Sequence, residues 1–175
     1  KIYLEFNDSD ALEIKKIETI TNHDVKAVEY FLKKKFEILG YEKFSEFIHF
    51  GLTSQDINNT AIPLSLKEML EQVYYNSIGL ILSSLEQISN EWKDIPMIAR
   101  THGQPASPTK LGKEIKVFII RINEQLKLLR DIPIAAKFGG ASGNFNAHHV
   151  AYKNHNWLQF SKNLIEKKLG LKHSY

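Results

Sequence analysis

Residues 56–92 carry the longest regular pattern in the sequence, DINNTAIPLSLKEMLEQVYYNSIGLILSSLEQISNEW. Its apolar residues recur at intervals of mostly three or four, which places them on one face of a helix. They are Ile57, Ala61, Leu64, Leu66, Leu70, Val73, Ile81, Leu85, Ile88 and Trp92. We therefore predict one long helix from Asp56 to about Trp92, bent or started late at Pro63, because proline lacks the amide donor of a helix interior.

A second long helix is predicted downstream. Its apolar positions are spaced by four, three, four, four and three residues, as in the packing seam of a helical bundle. They are Leu111, Ile115, Phe118, Ile122, Leu126 and Leu129. We place its start at Ser107-Pro108, a favoured pair for the N-cap and first helical position, and its end before Pro133. Two such helices are typical of antiparallel bundles whose apolar faces also drive oligomerisation.

Two shorter helices are predicted near the start of the chain. Ser9 is the candidate N-cap of the first, whose apolar face continues until Asn22. Asp24 caps the second helix, and Gly40 lies where a left-handed residue commonly ends a helix. These two helices precede the long ones and extend the helical pattern to the first part of the sequence.

The remaining segments complete a helical chain. Residues 41–54 are predicted to be a connector, and Trp157–Leu169 an amphipathic helix closed by Gly170. No run alternates with period two for long enough to make a sheet. The predicted fold class is therefore all-α, a long-helix antiparallel bundle.

The composition describes a soluble globular protein. Of the 175 residues, 43% are hydrophobic, enough to bury a core, and the net charge of +3 is spread along the chain, which argues against a nucleic-acid partner. The longest apolar run, Ile78–Leu82, is too short to cross a membrane. The absence of cysteine excludes disulfides and thiolate chemistry. Since the chain opens at Lys1 without an initiator methionine or signal peptide, we expect a piece of a longer polypeptide.

Three polar connectors carry the candidate chemistry: residues 21–25 (TNHDV), 49–56 (HFGLTSQD) and 100–109 (RTHGQPASPT). The first two start helices, so capping explains them as well as a functional role does, although helix N-termini with hydroxyls also bind anions. The third connector differs from the first two. Helix capping does not require a histidine between a threonine and a glycine, nor the amide side chain that follows. We therefore predict that His102 is functional.

A fourth stretch, residues 137–149 (KFGGASGNFNAHH), is too rich in glycine for an ordinary helix and indicates backbone that closely approaches a ligand. It lacks the spacing of a dinucleotide fingerprint. His148, His149 and His155 lie in one region, but adjacent histidines point to different sides of a helix and no H-E-x-x-H motif accompanies them. We predict no metal, and no Ser-His-Asp hydrolase site because the G-x-S-x-G elbow is absent.

Three motifs together resemble the adenylosuccinate lyase family of the fumarase/aspartase superfamily. They are Thr21-Asn22-His23-Asp24-Val25, Thr53-Ser54-Gln55-Asp56-Ile57-Asn58-Asn59 and Thr101-His102-Gly103-Gln104-Pro105-Ala106-Ser107-Pro108-Thr109, in that order, with a long helix between the last two. The resemblance covers essentially the whole chain and includes the Gly-rich residues 137–147. It implies that residues 1–42 end a helical N-terminal domain and that residues 43–175 belong to a central long-helix bundle domain.

The resemblance implies a β-elimination that uses no metal or organic cofactor. Adenylosuccinate would be split into AMP and fumarate, and the succinyl-carboxamide intermediate of purine synthesis into its carboxamide and fumarate. The implied substrate is a small molecule, a succinylated purine nucleotide. The implied assembly is a cytoplasmic homotetramer with neither a nucleic-acid nor a membrane partner.

The resemblance also assigns roles to individual residues. His102 would protonate the departing purine nitrogen, which suits a group that titrates near neutral pH. The implied substrate-binding residues are Asn22, His23 and Asp24 on the nucleotide and phosphate side, Thr53 and Ser54 on the succinyl carboxylates, and Thr101, with His49 and Gln104 in supporting places. The family's serine base lies in an S-S-x-M-P-x-K-x-N-P signature that this sequence does not contain, so we expect these 175 residues alone to be inactive.

Two alternatives stay open. Ala141-Ser142-Gly143 is the tripeptide that cyclises into an electrophilic prosthetic group in the aromatic amino-acid ammonia lyases, which share a related helical fold. The chain could instead be a non-catalytic helical oligomerisation module related to the lyases. Nucleotide binding at the three connectors separates the enzyme from the module.

The predicted helix from Asp56 to Trp92 also bears on where the site lies. It would be about 55 Å long at 1.5 Å per residue, so its two ends cannot line one pocket. The resemblance implies active sites built from three subunits of a tetramer. We therefore expect Thr53-Ser54 and His102 of one chain to lie in different active sites.

Overall fold

A computed structural model describes residues 2–175 of the chain. Its helices are α1 Asp8–Thr21, α2 Asp24–Ile38, α3 Ser54–Met69, α4 Tyr75–Glu91, α5 Leu111–Asp131, α6 Asn146–Ala151 and α7 Trp157–Lys162. The 3₁₀ helices are Tyr3–Glu5 and Glu42–Phe47, and the π-helical segments are Leu70–Tyr74 and Asn163–Lys168. The strands are β1 Pro96–Thr101, β2 Gln104–Lys110, β3 Ala135–Lys137 and β4 Lys172–Ser174.

The predicted all-α class is confirmed. The strands, which the periodicity did not indicate, form two pairs: β1 with β2 antiparallel, and β3 with β4 parallel. Each strand is seven residues long or shorter, so the pairs add hairpin and edge structure to a helical protein without building a sheet core.

The chain divides into two compact units. The first unit contains the residues up to Leu64 together with Ala135–Tyr175, and the second unit is Ser65–Ile134. The domain boundary expected between residues 42 and 43 stays a prediction.

The core of the first unit comes from α2 and from the C-terminal segments. Its buried apolar side chains are Val25, Ala27, Phe31, Ala136, Phe145, Trp157, Ile165 and Leu171. Helices α1 and α2 pack together, and Lys35 Nζ donates to Asp10 Oδ1 at 2.8 Å between them. This packing fixes both ends of the first polar connector, residues 21–25.

The second unit is built on the pair α4 and α5, which run antiparallel. The hydroxyl of Ser89 near the end of α4 donates to the carbonyl of Gly112 at the start of α5 at 2.8 Å. At the other end, the Arg130 guanidinium lies 5.0 Å from the centre of the Tyr75 ring. A Cβ on Gly112 would lie 2.2 Å from the Ser89 carbonyl oxygen, so only glycine permits this close helix crossing.

The start of α5 differs from the prediction. Ser107 and Pro108 lie in β2, opposite β1, and the helix begins at Leu111. Proline can occupy an edge strand because a strand in a two-stranded pair has one side with no partner strand. The pairing of Pro108 with Ile98 and of Thr109 with Met97 thus overrides the local preference of Ser-Pro for a helix start.

The long pattern over residues 56–92 also differs in detail. The α-helical hydrogen bonding is replaced by π-helical bonding at Leu70–Tyr74, and Leu70 is buried there. A second π-helical segment, Asn163–Lys168, ends the predicted helix from Trp157. A π turn accommodates an extra residue, so the apolar spacing cannot locate it. The predicted connector over residues 41–54 includes the 3₁₀ helix Glu42–Phe47, and Ser54 already begins α3.

Two helix caps are corrected by the structure. Asn7, not Ser9, caps α1, because its Oδ1 accepts the Ser9 N–H at 2.9 Å. His23, not Asp24, caps α2 through its ring nitrogen Nδ1. Gly40 has a φ of +76°, as expected after the end of α2.

Candidate active site

The first two polar connectors meet at His23 and Ser54. The backbone of His23 is extended, which aims its ring back over the first turn of α2, and Nδ1 accepts the Lys26 N–H at 3.3 Å. The other ring nitrogen, Nε2, lies 3.2 Å from Ser54 Oγ. Because Nδ1 is an acceptor, a neutral ring carries its proton on Nε2 and donates it to Ser54. The Ser54 hydroxyl proton then remains available for a ligand.

The rest of the first connector is an exposed turn. Asn22 adopts a left-handed conformation (φ 50°) and ends α1, donating its N–H to the Glu18 carbonyl at 2.8 Å. Asp24 begins α2 with one carboxylate oxygen 3.3 Å from Nδ1 of His23. Asn22, His23 and Asp24 are therefore presented together on one short exposed segment.

The second connector ends at the N-terminus of α3. The Asp56 side chain caps this turn by accepting the Thr53 N–H on Oδ2 at 3.0 Å, and the Asp56 N–H donates to the Thr53 backbone carbonyl at 3.0 Å. Thr53 and Ser54 are half-buried. Their hydroxyls and the positive end of the helix dipole make this turn suited to an anion.

The carboxylate of Asp56 also binds the Gly-rich segment. It accepts the Gly139 N–H at 3.0 Å on Oδ1 and the Gly140 N–H at 2.9 Å on Oδ2, and it is only 1% exposed. Lys137 Nζ lies 3.3 Å from the same carboxylate and donates to the Gly140 carbonyl at 2.8 Å. The sequence predicts that the Gly-rich backbone closely approaches a ligand. In the structure this backbone closely approaches the Asp56 carboxylate. The sequence motifs do not indicate Asp56 as a site residue, although Thr53 followed three residues later by an acid is a capping signal.

The buried ring of His148 lies close to the backbone of Gly51 in the second connector. Its ring is 1% exposed, and neither ring nitrogen has a hydrogen-bond partner in the described chain. Burial lowers the pKa of His148, because the charged form would be desolvated. A Cβ on Gly51, whose φ is +63°, would lie 2.8 Å from this ring. His148 therefore supports the second connector by packing.

Aromatic rings enclose His148. The nearest ring centres are those of Trp157 at 4.7 Å, Phe50 at 5.4 Å, Phe138 at 5.5 Å and Phe145 at 5.7 Å. Among residues 2–175, no three histidine, aspartate or glutamate side chains are grouped as a metal ion would require. His49 lies half-buried in the same connector with a φ of +62°.

The third connector is the turn of a β-hairpin in the second unit. Thr101 pairs with Gln104, which leaves His102 and Gly103 as a two-residue loop. Their φ values are +50° and +76°, as in a type I′ turn. Histidine is one of the few residues enriched at positive φ, so the turn accounts for its backbone. The side chains of Thr101, His102 and Gln104 are exposed.

The structure therefore brings His23 and Ser54 into contact within the first unit. Thr101, His102 and Gln104 belong to the second unit. In the described chain, no helix is both long enough and apolar enough to span a bilayer.

Comparison with known sequences places these residues among lyases. Residues 1–168 match the profile of a family described as lyase. Adenylosuccinate lyase of Dictyostelium discoideum is 54% identical over 169 residues, 94% of this chain and 36% of that protein. Adenylosuccinate lyase of Escherichia coli K12 is 44% identical over 165 residues, 94% of this chain and 36% of that protein. The chain thus spans just over one third of the length of these relatives.

Solved structures share the fold at lower identity. A fumarate lyase from Mesorhizobium sp. BNC1 superposes with a TM-score of 0.76 at 21% identity, covering 97% of this chain and 38% of that one. A 3-carboxy-cis,cis-muconate lactonizing enzyme from Pseudomonas putida gives 0.71 at 22% identity, covering 97% and 36%. These structures share the helical fold of this chain.

Proposed function

The chain belongs to the lyase family, and on that premise we propose that it is part of an adenylosuccinate lyase. The observation that carries this proposal is its 54% identity, over nearly the whole chain, to a protein of that name. The proposed reaction splits adenylosuccinate into AMP and fumarate. The same chemistry applies to the succinyl-carboxamide intermediate, which yields its carboxamide and fumarate, and both steps belong to purine nucleotide biosynthesis.

The proposed elimination moves one proton at each end of the bond that breaks. A base removes a proton from the β-carbon of the succinyl group, and the electrons of that C–H bond form the new double bond of fumarate. The electron pair of the C–N bond goes to the purine nitrogen, where His102 delivers a proton as general acid. The base of this proposal, a serine, is supplied from outside these 175 residues.

The N-terminus of α3 is the proposed binding site for the succinyl carboxylates. Ser54 receives a hydrogen bond from His23 and keeps its own proton for a carboxylate oxygen. Thr53 offers a second hydroxyl in the same turn. Asn22, His23 and Asp24 are assigned to the nucleotide and phosphate side, so His23 links the two ends of the substrate.

The other proposed contacts support these groups. Thr101 is assigned to substrate binding beside His102, and Gln104, its partner across the hairpin, to holding the turn. His49 is assigned a supporting place in the second connector. The elimination is proposed to use no cofactor, and the location proposed for the enzyme is the cytoplasm.

The proposed assembly is a homotetramer whose active sites each use several subunits. A general acid works best where water is excluded, whereas His102 lies exposed at the tip of a hairpin and therefore needs a further surface to cover it. Large apolar side chains are also exposed on α4 and α5. They are Leu80, Ile81, Phe118, Ile120 and Leu128. A tetramer would bury such faces.

The proposal is tested on the complete polypeptide that contains this chain. Incubation with adenylosuccinate is expected to release equal amounts of AMP and fumarate, measured by chromatography, without added metal or cofactor. Nucleotide binding without turnover in the complete protein would contradict the enzyme. The absence of both turnover and nucleotide binding would favour a non-catalytic helical module.

A further inference from the structure

We propose that Asp56 is a positioning residue that holds the Thr53–Ser54 turn and the Gly-rich loop, residues 137–145, as one rigid part of the site. This inference rests on the proposed function, which makes the Thr53–Ser54 turn a binding site for carboxylates. It adds a residue that does not touch substrate and acts through the turn it anchors.

The first observation is that partners occupy the hydrogen-bonding positions of both Asp56 carboxylate oxygens. Three backbone N–H groups donate to it, from Thr53, Gly139 and Gly140, at 2.9 to 3.0 Å. The Lys137 ammonium stands 3.3 Å from Oδ1. A carboxylate offers about four lone-pair positions, so these partners satisfy it. Both oxygens accept, and none of that capacity is left for water or substrate.

The second observation is a matched case elsewhere in the chain. Asp10 occupies the same third position in α1, accepts the Asn7 N–H at 3.2 Å and pairs with Lys35 at 2.8 Å. Its remaining described partner is the side chain of the capping residue Asn7. In this matched cap the carboxylate thus accepts one backbone N–H and pairs with one cation. Asp56 accepts two further N–H groups, from residues 83 and 84 positions away.

The third observation is that the loop is shaped to reach this carboxylate. Gly140 has a φ of +78°, and a Cβ there would lie 3.2 Å from the carbonyl oxygen of Gly51. A Cβ on Gly139 would lie 3.0 Å from Gly143 Cα. A side chain at either position would crowd backbone atoms beside the two amides that bind Asp56. The glycines and the buried carboxylate are therefore complementary parts of one arrangement.

A consequence for binding follows from the place of Asp56 in α3. It lies two residues after Ser54, in the same helical turn, and its charge is balanced by Lys137 and the backbone amides. The turn can therefore hold a carboxylate ligand at Ser54 without a free negative charge beside it. Loss of the anchor releases Thr53 and Ser54 from the loop, so the geometry that suits the dicarboxylate is lost before any chemistry takes place.

The test uses Asp56→Asn in the complete lyase, with Asp10→Asn as the matched control. The asparagine keeps the shape but turns an NH₂ group towards backbone N–H donors, leaving at least one of them unsatisfied. We expect KM for adenylosuccinate to rise about 10- to 100-fold while kcat stays within about threefold. Asp10→Asn should lower the melting temperature and leave KM within about twofold. A fall in kcat with unchanged KM, or equal changes in both variants, would overturn the positioning role.

A second measurement does not depend on turnover. In the complete protein, amide hydrogen exchange of the segment that contains Gly139 and Gly140, measured by mass spectrometry, should accelerate at least tenfold in Asp56→Asn and remain unchanged in Asp10→Asn. Unchanged exchange of this segment in Asp56→Asn would overturn the anchor. If the proposed reaction fails in the parent enzyme, the exchange result still decides whether the anchor exists.

A milder variant keeps the test decisive if Asp56→Asn does not fold. Lys137→Met removes the ammonium beside the carboxylate and its bond to Gly140, but leaves the three backbone N–H donors in place. Faster exchange of the same segment and a rise in KM of a few fold are expected. Parental exchange and parental KM in this variant would then contradict the proposal.

Discussion

The turn at Thr53–Ser54 and the turn at His102–Gly103 both present polar side chains predicted to be functional, yet they are held in opposite ways. The first starts a helix, is half-buried, and is tied to His23 and to the Gly-rich loop. The second is the tip of a two-stranded hairpin with exposed side chains. The chain by itself therefore holds the proposed carboxylate site in a defined geometry. The proposed general acid, in contrast, is exposed at the tip of its hairpin.

This difference predicts how each region responds to substitution. A change in the half-buried turn affects substrate binding and, through its hydrogen bonds, the fold. A change at the exposed tip affects the chemical step and leaves the fold intact. The following experiments separate these outcomes.

The largest effect is expected for His102→Asn in the complete lyase. Asparagine tolerates positive φ and preserves the type I′ turn, but it cannot act as a general acid. We expect kcat to fall by roughly 10²–10⁴-fold, with an unchanged circular dichroism spectrum. The exposed His149→Asn is the control and should retain parental kcat. Near-normal turnover in His102→Asn would remove this residue from the mechanism.

A smaller effect, on binding, is expected for Ser54→Ala. Losing a hydrogen bond to a charged carboxylate should raise KM about 10- to 100-fold and leave kcat nearly unchanged, because the bond exists before and during the reaction. Ser84→Ala is a suitable control, since the Ser84 hydroxyl donates to the Leu80 carbonyl within α4. Steady-state kinetics with adenylosuccinate measures both. A parental KM in Ser54→Ala would count against this turn as the carboxylate site.

Subunit mixing tests whether the two turns of one chain serve different sites. His102→Asn tetramers and Thr53→Ala/Ser54→Ala tetramers would be dissociated, mixed in equal amounts and reassembled. Activity would be assayed at an adenylosuccinate concentration far below the raised KM, where the Thr53→Ala/Ser54→Ala parent also turns over little substrate. If the turns come from different subunits, about one quarter of the sites receive both parental turns and regain activity. With subunit exchange verified by mass spectrometry, zero recovery would place both turns of one site on the same chain.

The smallest effect concerns stability in acid. Burial depresses the pKa of His148 in the folded state below the value near 6.5 that it has when unfolded. Below pH 6.5 the unfolded chain therefore binds a proton that the folded chain resists. We expect the free energy of unfolding to fall by at most about 1.4 kcal/mol per pH unit until the folded pKa is reached. Above pH 6.5 this contribution should be constant.

Urea unfolding of this chain at pH 7.5 and 5.5 measures the effect. His148→Phe keeps an aromatic ring among its neighbours and should reduce the difference between the two pH values. The exposed His149→Phe should leave that difference unchanged. An equal pH dependence in the parent and in His148→Phe would show that other groups are responsible.

The sequence predicted best the features that depend on neighbours along the chain. The periodicity of α2 and the glycine after it, Gly40, are local signals, and they correspond to the structure. The cap of α2 was predicted one residue late because histidine is an unusual capping residue. Ser107-Pro108 suggested a helix start because the competing strand pairing becomes visible only when β1 lies opposite.

The parts that escaped prediction depend on contacts between distant residues. Asp56 belongs to a sequence motif and lies at the start of the long helical pattern, but its bonds to Gly139 and Gly140 join segments more than eighty residues apart. His148 was considered as a metal ligand in a glycine-rich stretch, and nothing local indicates that it packs against Gly51. The juxtaposition of His23 and Ser54 likewise requires the folded unit.

The separation between Asp56 and the Gly-rich loop also sets an order of events during synthesis and folding. The β1–β2 hairpin closes through a two-residue turn, and such hairpins form within about 1–10 μs. The hydrogen bonds of the Asp56 carboxylate to Gly139 and Gly140 join residues 83 and 84 positions apart. Closing this long loop has a much larger entropic cost than closing the hairpin. On the ribosome, at about 5–20 residues per second, several seconds pass between the emergence of Ser54 and that of Gly140. We therefore expect the start of α3 to remain unanchored during that interval, a stage at which a nascent chain is most open to chaperones and proteases.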